Sequence, residues 1–196
     1  MLAFAITAAA LGLPTDMSPS AWARALLTGL TLQLVLTLLP NNLWEEVAWT
    51  GFVQERLQRR HTAALAAVIT GVLFALQHIS LVMGNAPADA VVVMAMFMVV
   101  IIPFRFLTGW VYNATQSLFL VGLVHGIGNA VAGGSGFGAG LLPRLYPEST
   151  LAATAHLLAF FLLGLAGLAL TRGHLGAPRP HHPQPARHDT TKESSR

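Results

Sequence analysis

Long apolar runs separated by short polar breaks dominate the chain. Those near 21–40, 62–83, 88–111, 114–131 and 150–171 match the ~20 residues that carry a helix across a bilayer. Two further stretches are shorter. Residues 1–13 are apolar, with no basic residue before them and no small-residue cleavage site, and read as a helix cut short at its start rather than a signal peptide. Residues 43–58 carry charges at both ends but are apolar enough in the middle to enter the membrane. The pattern predicts an all-α, multi-pass transmembrane bundle of about seven helices.

Composition agrees with the pattern: 54% of the 196 residues are hydrophobic and only 10% are charged. The chain has no cysteine, which excludes disulfides, thiolate catalysis and Cys-ligated zinc. The net charge of +3 comes mostly from a short Arg cluster and the C-terminal tail, so it reports topology and forms no nucleic-acid surface. If 43–58 crosses, Arg24, Arg56, Arg59, Arg60, Arg105 and Arg172 fall on one side and Asn41, Asn42, Asp89, Arg144 and Glu148 on the other. The positive-inside rule then puts the C-terminus in the cytoplasm, and an integral protein of a prokaryotic cell membrane is expected.

Domain organisation is simple. Residues 1–172 form the membrane domain, and 173–196, rich in Pro, His and small polar residues, form a disordered cytoplasmic tail. The His181-His182 pair reads as part of that solvated tail rather than as a metal trap. AGGSGFGAGLLPRLYPES, between the last two spans, is an exposed loop; with no preceding strand it is not a phosphate cradle.

Against this background, Glu45 and Glu46 in NLWEEVAWTGF stand out. A carboxylate in hydrocarbon costs several kcal/mol unless paired, protonated or facing a wet cavity, so intramembrane ionisable residues are functional candidates by default. Polar partners recur on other apolar helices: His78 in FALQHIS, and His125 and Asn129 in VHGIGNA, four apart and on one helical face. Singly, each histidine has an ordinary reading as the hydrogen-bond partner of a neighbouring carbonyl. Together, Glu45, Glu46, His78, His125 and Asn129 contain the parts of a water-activating site in an intramembrane polar cavity: a base or metal ligand, and donors for an oxyanion.

The motifs Glu45-Glu46-Val47-Ala48-Trp49-Thr50-Gly51-Phe52, Phe74-Ala75-Leu76-Gln77-His78 and His125-Gly126-Ile127-Gly128-Asn129, in this order over about residues 40–132, resemble the CPBP intramembrane protease family. That family is also called the CAAX protease and bacteriocin-processing, or Abi, family, and includes type II CAAX prenyl endopeptidases. The resemblance implies hydrolysis of a peptide bond in a membrane-proximal peptide or protein substrate, lipidated or not, within the bilayer. It further implies that Glu45 and His78 activate water, that His125 and Asn129 hold the oxyanion, and that Glu46 supports them. Two chemistries stay open: a zinc ion on Glu45, His78 and His125, or a metal-independent Glu–His pair. HExxH is absent.

One departure matters. Thr50 stands where the family commonly has Arg, one helical turn after Glu46. Arg105 is the best replacement cation, although snorkelling to the cytoplasmic boundary is the preferred reading for it. Arg56, ten residues along the helix and about 15 Å away, is too far. Three other functions compete. Gly133-Gly134-Ser135-Gly136 with His156 imitates a rhomboid serine protease, but no apolar helix opens at Ser135. An ion- or proton-coupled transporter leaves the His/Asn pair unexplained and lacks repeat symmetry. A catalytically silent scaffold is the principal rival, because of Thr50. Trp44, Trp49 and Trp110 read as interfacial anchors before cavity walls, and the Val91–Met98 run as a lipid-facing or packing surface. Gly122, Gly126 and Gly128 read as packing positions that would let their helix approach the Glu helix.

Overall fold

The computed structural model describes residues 18–132, 138–147 and 149–177, the side chain of Leu81 excepted. The apolar 1–13 stretch, Gly133–Gly136 and His181-His182 lie outside them. Helices make up the fold, with no β-strand among the described residues. In order they are α1 (Pro19–Gln58), α2 (Ala63–Ser80), α3 (Pro87–Thr115), α4 (Leu118–Ala132), α5 (Leu141–Leu145) and α6 (Thr150–Leu170). Among the described residues, four of these are long and apolar enough to span a membrane: α1, α2, α3 and α6. α4 has 15 residues, about 22 Å, and falls short of the ~30 Å hydrocarbon layer.

The largest difference from the sequence reading is α1. Runs 21–40 and 43–58, expected as two spans around a turn at Asn41 and Asn42, form one continuous 40-residue helix. Proline normally breaks a helix by removing an N–H and crowding the preceding turn. Here Pro40 lies inside a wide π turn, Leu38–Asn42, one of three such segments with Ala25–Leu32 and Val47–Gln54. The helix therefore runs through Pro40. As a result, Arg24 lies at the opposite end of α1 from Arg56, not beside it.

Capping sets the helix starts. Ser18 accepts from Ala21 N–H before Pro19, Thr62 accepts from Leu65 N–H, and Ser149 accepts from Ala152 N–H. α3 ends at Gln116, whose left-handed backbone (φ 53°) turns the chain sharply into α4. This short link makes α3 and α4 antiparallel neighbours. α6 meets α3 through small residues: a Cβ on Gly164 would sit directly against the Pro103 carbonyl oxygen, so this crossing requires glycine.

Two apolar clusters mark the ends of the bundle. At one end, Ala25, Val131, Leu141, Leu142, Leu145, Tyr146, Ala152 and Ala155 join the start of α1, the end of α4, α5 and the start of α6. At the other, Ala63, Ala67, Phe106 and Leu175 pack with Trp110. Leu175 is fully buried, and its carbonyl accepts from Asn113 Nδ2 at 2.9 Å, so the packed chain continues through Ala177, past the Gly173 boundary drawn from composition. Val91, Val92, Val93 and Met96 are exposed on α3, as a lipid-facing surface requires.

Candidate active site

A polar column follows the buried face of α1. Gln33, Thr37, Asn42, Glu46, Thr50 and Gln54 are all buried. Their spacings of 4, 5, 4, 4 and 4 average about 4.2 residues per turn. In a pure α-helix at 100° per residue these positions would spiral about 300° around the axis over five turns. The π segments unwind α1 enough to hold them on one face.

Glu46 is the centre of this column and is fully buried. Its Oε2 accepts from Arg105 Nη1 at 2.8 Å and from Thr50 Oγ1, and Arg105 Nη1 also donates to Thr50 Oγ1 at 3.3 Å. Arg105 does not snorkel. It lies about two-thirds of the way along α3 with no solvent exposure, its guanidinium 4.1 Å from the Phe74 ring centroid. A buried carboxylate needs a cation more than the cation needs the boundary, and α3 supplies the charge that α1 lacks at Thr50.

On the other side of the carboxylate, His125 Nδ1–H donates to Glu46 Oε1 at 2.8 Å. This bond fixes the ring and directs Nε2 towards Glu45, whose Oε2 is 3.8 Å away. Glycines let α4 come this close. A Cβ on Gly122 would meet the Leu43 backbone at 3.2 Å, and one on Gly126 would meet Leu34 at 3.0 Å; Gly128 faces Phe160 of α6 instead. His78, at the end of α2, has Nδ1 2.8 Å from the Phe74 carbonyl. That contact assigns the proton to Nδ1 and leaves Nε2 as an acceptor.

Glu45, His78, His125 and Asn129 line one cavity of about 330 Å³, with Phe74, Phe97, Phe104 and Phe160 among its apolar walls. Glu46 stands behind it. Asn41, expected in a loop, lines the cavity too, and so does His156 of α6, which sequence reasoning treated only as a base for Ser135. The signal was available: a lone imidazole in the apolar run TLAATAHLLAFF. None of the three singled-out tryptophans lines it: Trp44 is exposed, Trp49 Nε1 donates to Gln77, and Trp110 packs near Leu175.

Among the described residues no three His, Asp or Glu side chains are gathered to ligate a metal, and Glu45, His78 and His125 share a cavity without forming a ligand cluster. The Nδ1 atoms of His125 and His78 are engaged by Glu46 and by the Phe74 carbonyl, which leaves both Nε2 atoms as the remaining ring nitrogens.

The fold and the cavity together define an all-helical integral membrane protein with a carboxylate–histidine centre inside the bundle. A family model described as type II CAAX prenyl endopeptidase Rce1-like matches residues 27–131, more than half of the chain, and the chain belongs to this family of membrane endopeptidases. No curated protein and no solved structure matches it. The matched segment contains all three motifs and stops before α6, so His156 lies outside it.

Proposed function

We propose that the protein is an intramembrane endopeptidase that hydrolyses a peptide bond of a membrane-proximal peptide or protein with water activated by Glu45 and His78. The single observation that carries this reading is the partition of the paired carboxylates. Glu46 is buried and committed to Arg105, Thr50 and His125, whereas Glu45 faces the cavity with its side chain 22% exposed. One carboxylate builds the site and the other is free to take a proton.

In this mechanism a water lies between Glu45 and His78 Nε2. Its oxygen attacks the peptide carbonyl carbon while Glu45 takes one of its protons, and His78 Nε2 accepts a hydrogen bond from the other. The tetrahedral oxyanion is held by Asn129 and by His125 Nε2–H. Donation from Nε2 requires the imidazolium, whose charge Glu45 and Glu46 offset. Glu45 then passes its proton to the amine as the C–N bond breaks. No step passes through a metal. Purified protein should cleave members of a peptide library, and His78→Ala should abolish that cleavage while retaining the wild-type helical circular dichroism. Wild-type turnover in the variant would remove the mechanism.

His156 is a positioning residue in this reading. Its ring packs against Phe160, one turn along α6, with centroids 4.9 Å apart, and Phe160 in turn packs on Gly128, immediately before Asn129. His156→Leu is expected to lower kcat about 10²-fold with little change in KM, the scale of a displaced oxyanion donor. His156→Phe keeps an aromatic ring against Phe160 and should recover most of the loss. Equal defects in the two variants, or a change in KM alone, would contradict this role.

The scaffold reading, prompted by Thr50, loses its main support once Arg105 supplies the missing cation. Arg56, Arg59, Arg60 and Arg172 gather at one end of the bundle, where Ala64 N–H bonds the Gly173 carbonyl, and this end, with the C-terminus, is proposed to be cytoplasmic.

A further inference from the structure

Two rows of polar side chains lie side by side on α1. Asn42 and Glu46, one turn apart, belong to the buried column and are fully enclosed. Asn41 and Glu45, the residues immediately before each of them, are one turn apart in the same way and line the cavity. The wide turn at Leu38–Asn42 thus sends its two asparagines to different places, one behind the site and one into it.

Most polar groups of the cavity wall already have a duty. Glu45 and His78 are assigned to water, His125 and Asn129 to the oxyanion, and His156 packs on Phe160. Asn41 is left over. Its side chain is exposed and, among the described residues, makes no hydrogen bond within the protein. A primary amide neither takes nor gives a proton at neutral pH, so its chemistry is confined to hydrogen bonding, with two N–H donors and a carbonyl acceptor. That set is complementary to the main chain of a peptide.

An extended peptide in this cavity brings backbone N–H and C=O groups against Phe74, Phe97, Ile101, Phe104 and Phe160, none of whose side chains can pair with them. Backbone groups cut off from water and left unpaired weaken binding. The chain must therefore supply a partner. Four residues of α1 separate Asn41 from Glu45, about 6 Å along the helix. A peptide running along α1 advances ~3.3 Å per residue, so Asn41 falls about two residues from the bond beside Glu45.

We propose that Asn41 is a substrate-binding residue whose amide pairs with the main chain about two residues from the scissile bond, accepting from a backbone N–H and donating to a backbone C=O. The assignment rests on the peptidase reading above and deepens it: the substrate is bound as an extended strand, recognised at this point by its backbone and not by a side chain. The competing duty for a free amide is a third donor to the oxyanion. Kinetics separates the two, because an oxyanion donor acts only in the transition state and lowers kcat, whereas a backbone partner acts before and during the reaction and sets KM.

The probe is chosen by binding, so that it does not depend on turnover: the member of an apolar peptide library retained most strongly by Glu45→Gln protein in detergent. Asn41→Leu, made in the wild-type and Glu45→Gln backgrounds, should raise KM and weaken binding of this probe about tenfold to a hundredfold, the scale of a buried group left unpaired. Its kcat should stay within about twofold of wild type. Ester analogues of the probe, each with one backbone N–H replaced by oxygen, then locate the contact. One replacement, two residues from the cleaved bond, should weaken binding to the parent by a similar factor and to Asn41→Leu hardly at all. The ester leaves the protein untouched, so a folding defect in Asn41→Leu cannot imitate this coupling. Ester effects equal in both proteins at every position would overturn the proposal, as would a loss of kcat with KM unchanged, or a library from which nothing is retained. A probe that binds and couples to Asn41 but is never cleaved by wild type would leave the contact standing and remove the peptidase reading instead.

Discussion

Arg105→Met is expected to destabilise the protein by about 3–5 kcal/mol, the cost of leaving one member of a buried ion pair without its partner. Glu46 has no water to turn to, because both it and Arg105 are fully buried, and the 2.8 Å bond between them is the ionic contact at the centre of the polar column. Glu46→Gln should cost a similar amount by stranding the guanidinium. The double variant Glu46→Gln/Arg105→Met should lose much less than the sum of the singles, since neither charge is left alone. Thr50→Arg alone should destabilise, because it forces a second cation into a fully packed site that already holds one. Combined with Arg105→Met, the same substitution should recover stability by returning a cation to the helical turn after Glu46. Reversible unfolding in detergent measures all five proteins. Additive losses across the double-variant cycle would mean that the pair is not coupled.

Adjacent carboxylates should give opposite phenotypes. Glu45→Gln is expected to reduce kcat by about 10²–10⁴-fold, the usual contribution of a general base, with stability close to wild type. Its side chain is partly exposed in the cavity and makes one long approach, 3.8 Å to His125 Nε2. Glu46→Gln should instead unfold more readily and lose activity indirectly, as His125 loses the bond that aims it. The two substitutions are chemically identical and one residue apart, so the contrast isolates position from chemistry. A Glu45→Gln protein that unfolds like Glu46→Gln while retaining turnover would reverse the assignment.

How much of this was legible beforehand depended on which signal each feature left in the chain. Apolar runs declared the helices, because hydrocarbon demands them residue by residue. The three motifs declared Glu45, Glu46, His78, His125 and Asn129 as candidates, since ionisable groups are rare in such runs. Pro40-Asn41-Asn42 misled, because the wide turns that carry a helix through proline leave no clear mark in an apolar sequence. The same turns hid the polar column: at 3.6 residues per turn Gln33, Thr37, Asn42, Glu46, Thr50 and Gln54 do not share a face, and at about 4.2 they do. Arg105 was misjudged because snorkelling is a local rule, while its partner lies 59 residues away on another helix. His156 was seen but assigned to the wrong chemistry, as only the packing of α6 on Gly128 brings it to the cavity.

The central claim is that this cavity adds water to a peptide bond, and isotope transfer tests it most directly. Purified protein incubated with a library of membrane-proximal peptides in ¹⁸O-water, beside Glu45→Gln, should release fragments whose new carboxyl termini carry one ¹⁸O atom, with the variant releasing almost none. Wild type that yields no more labelled fragment than Glu45→Gln across the library would contradict the account.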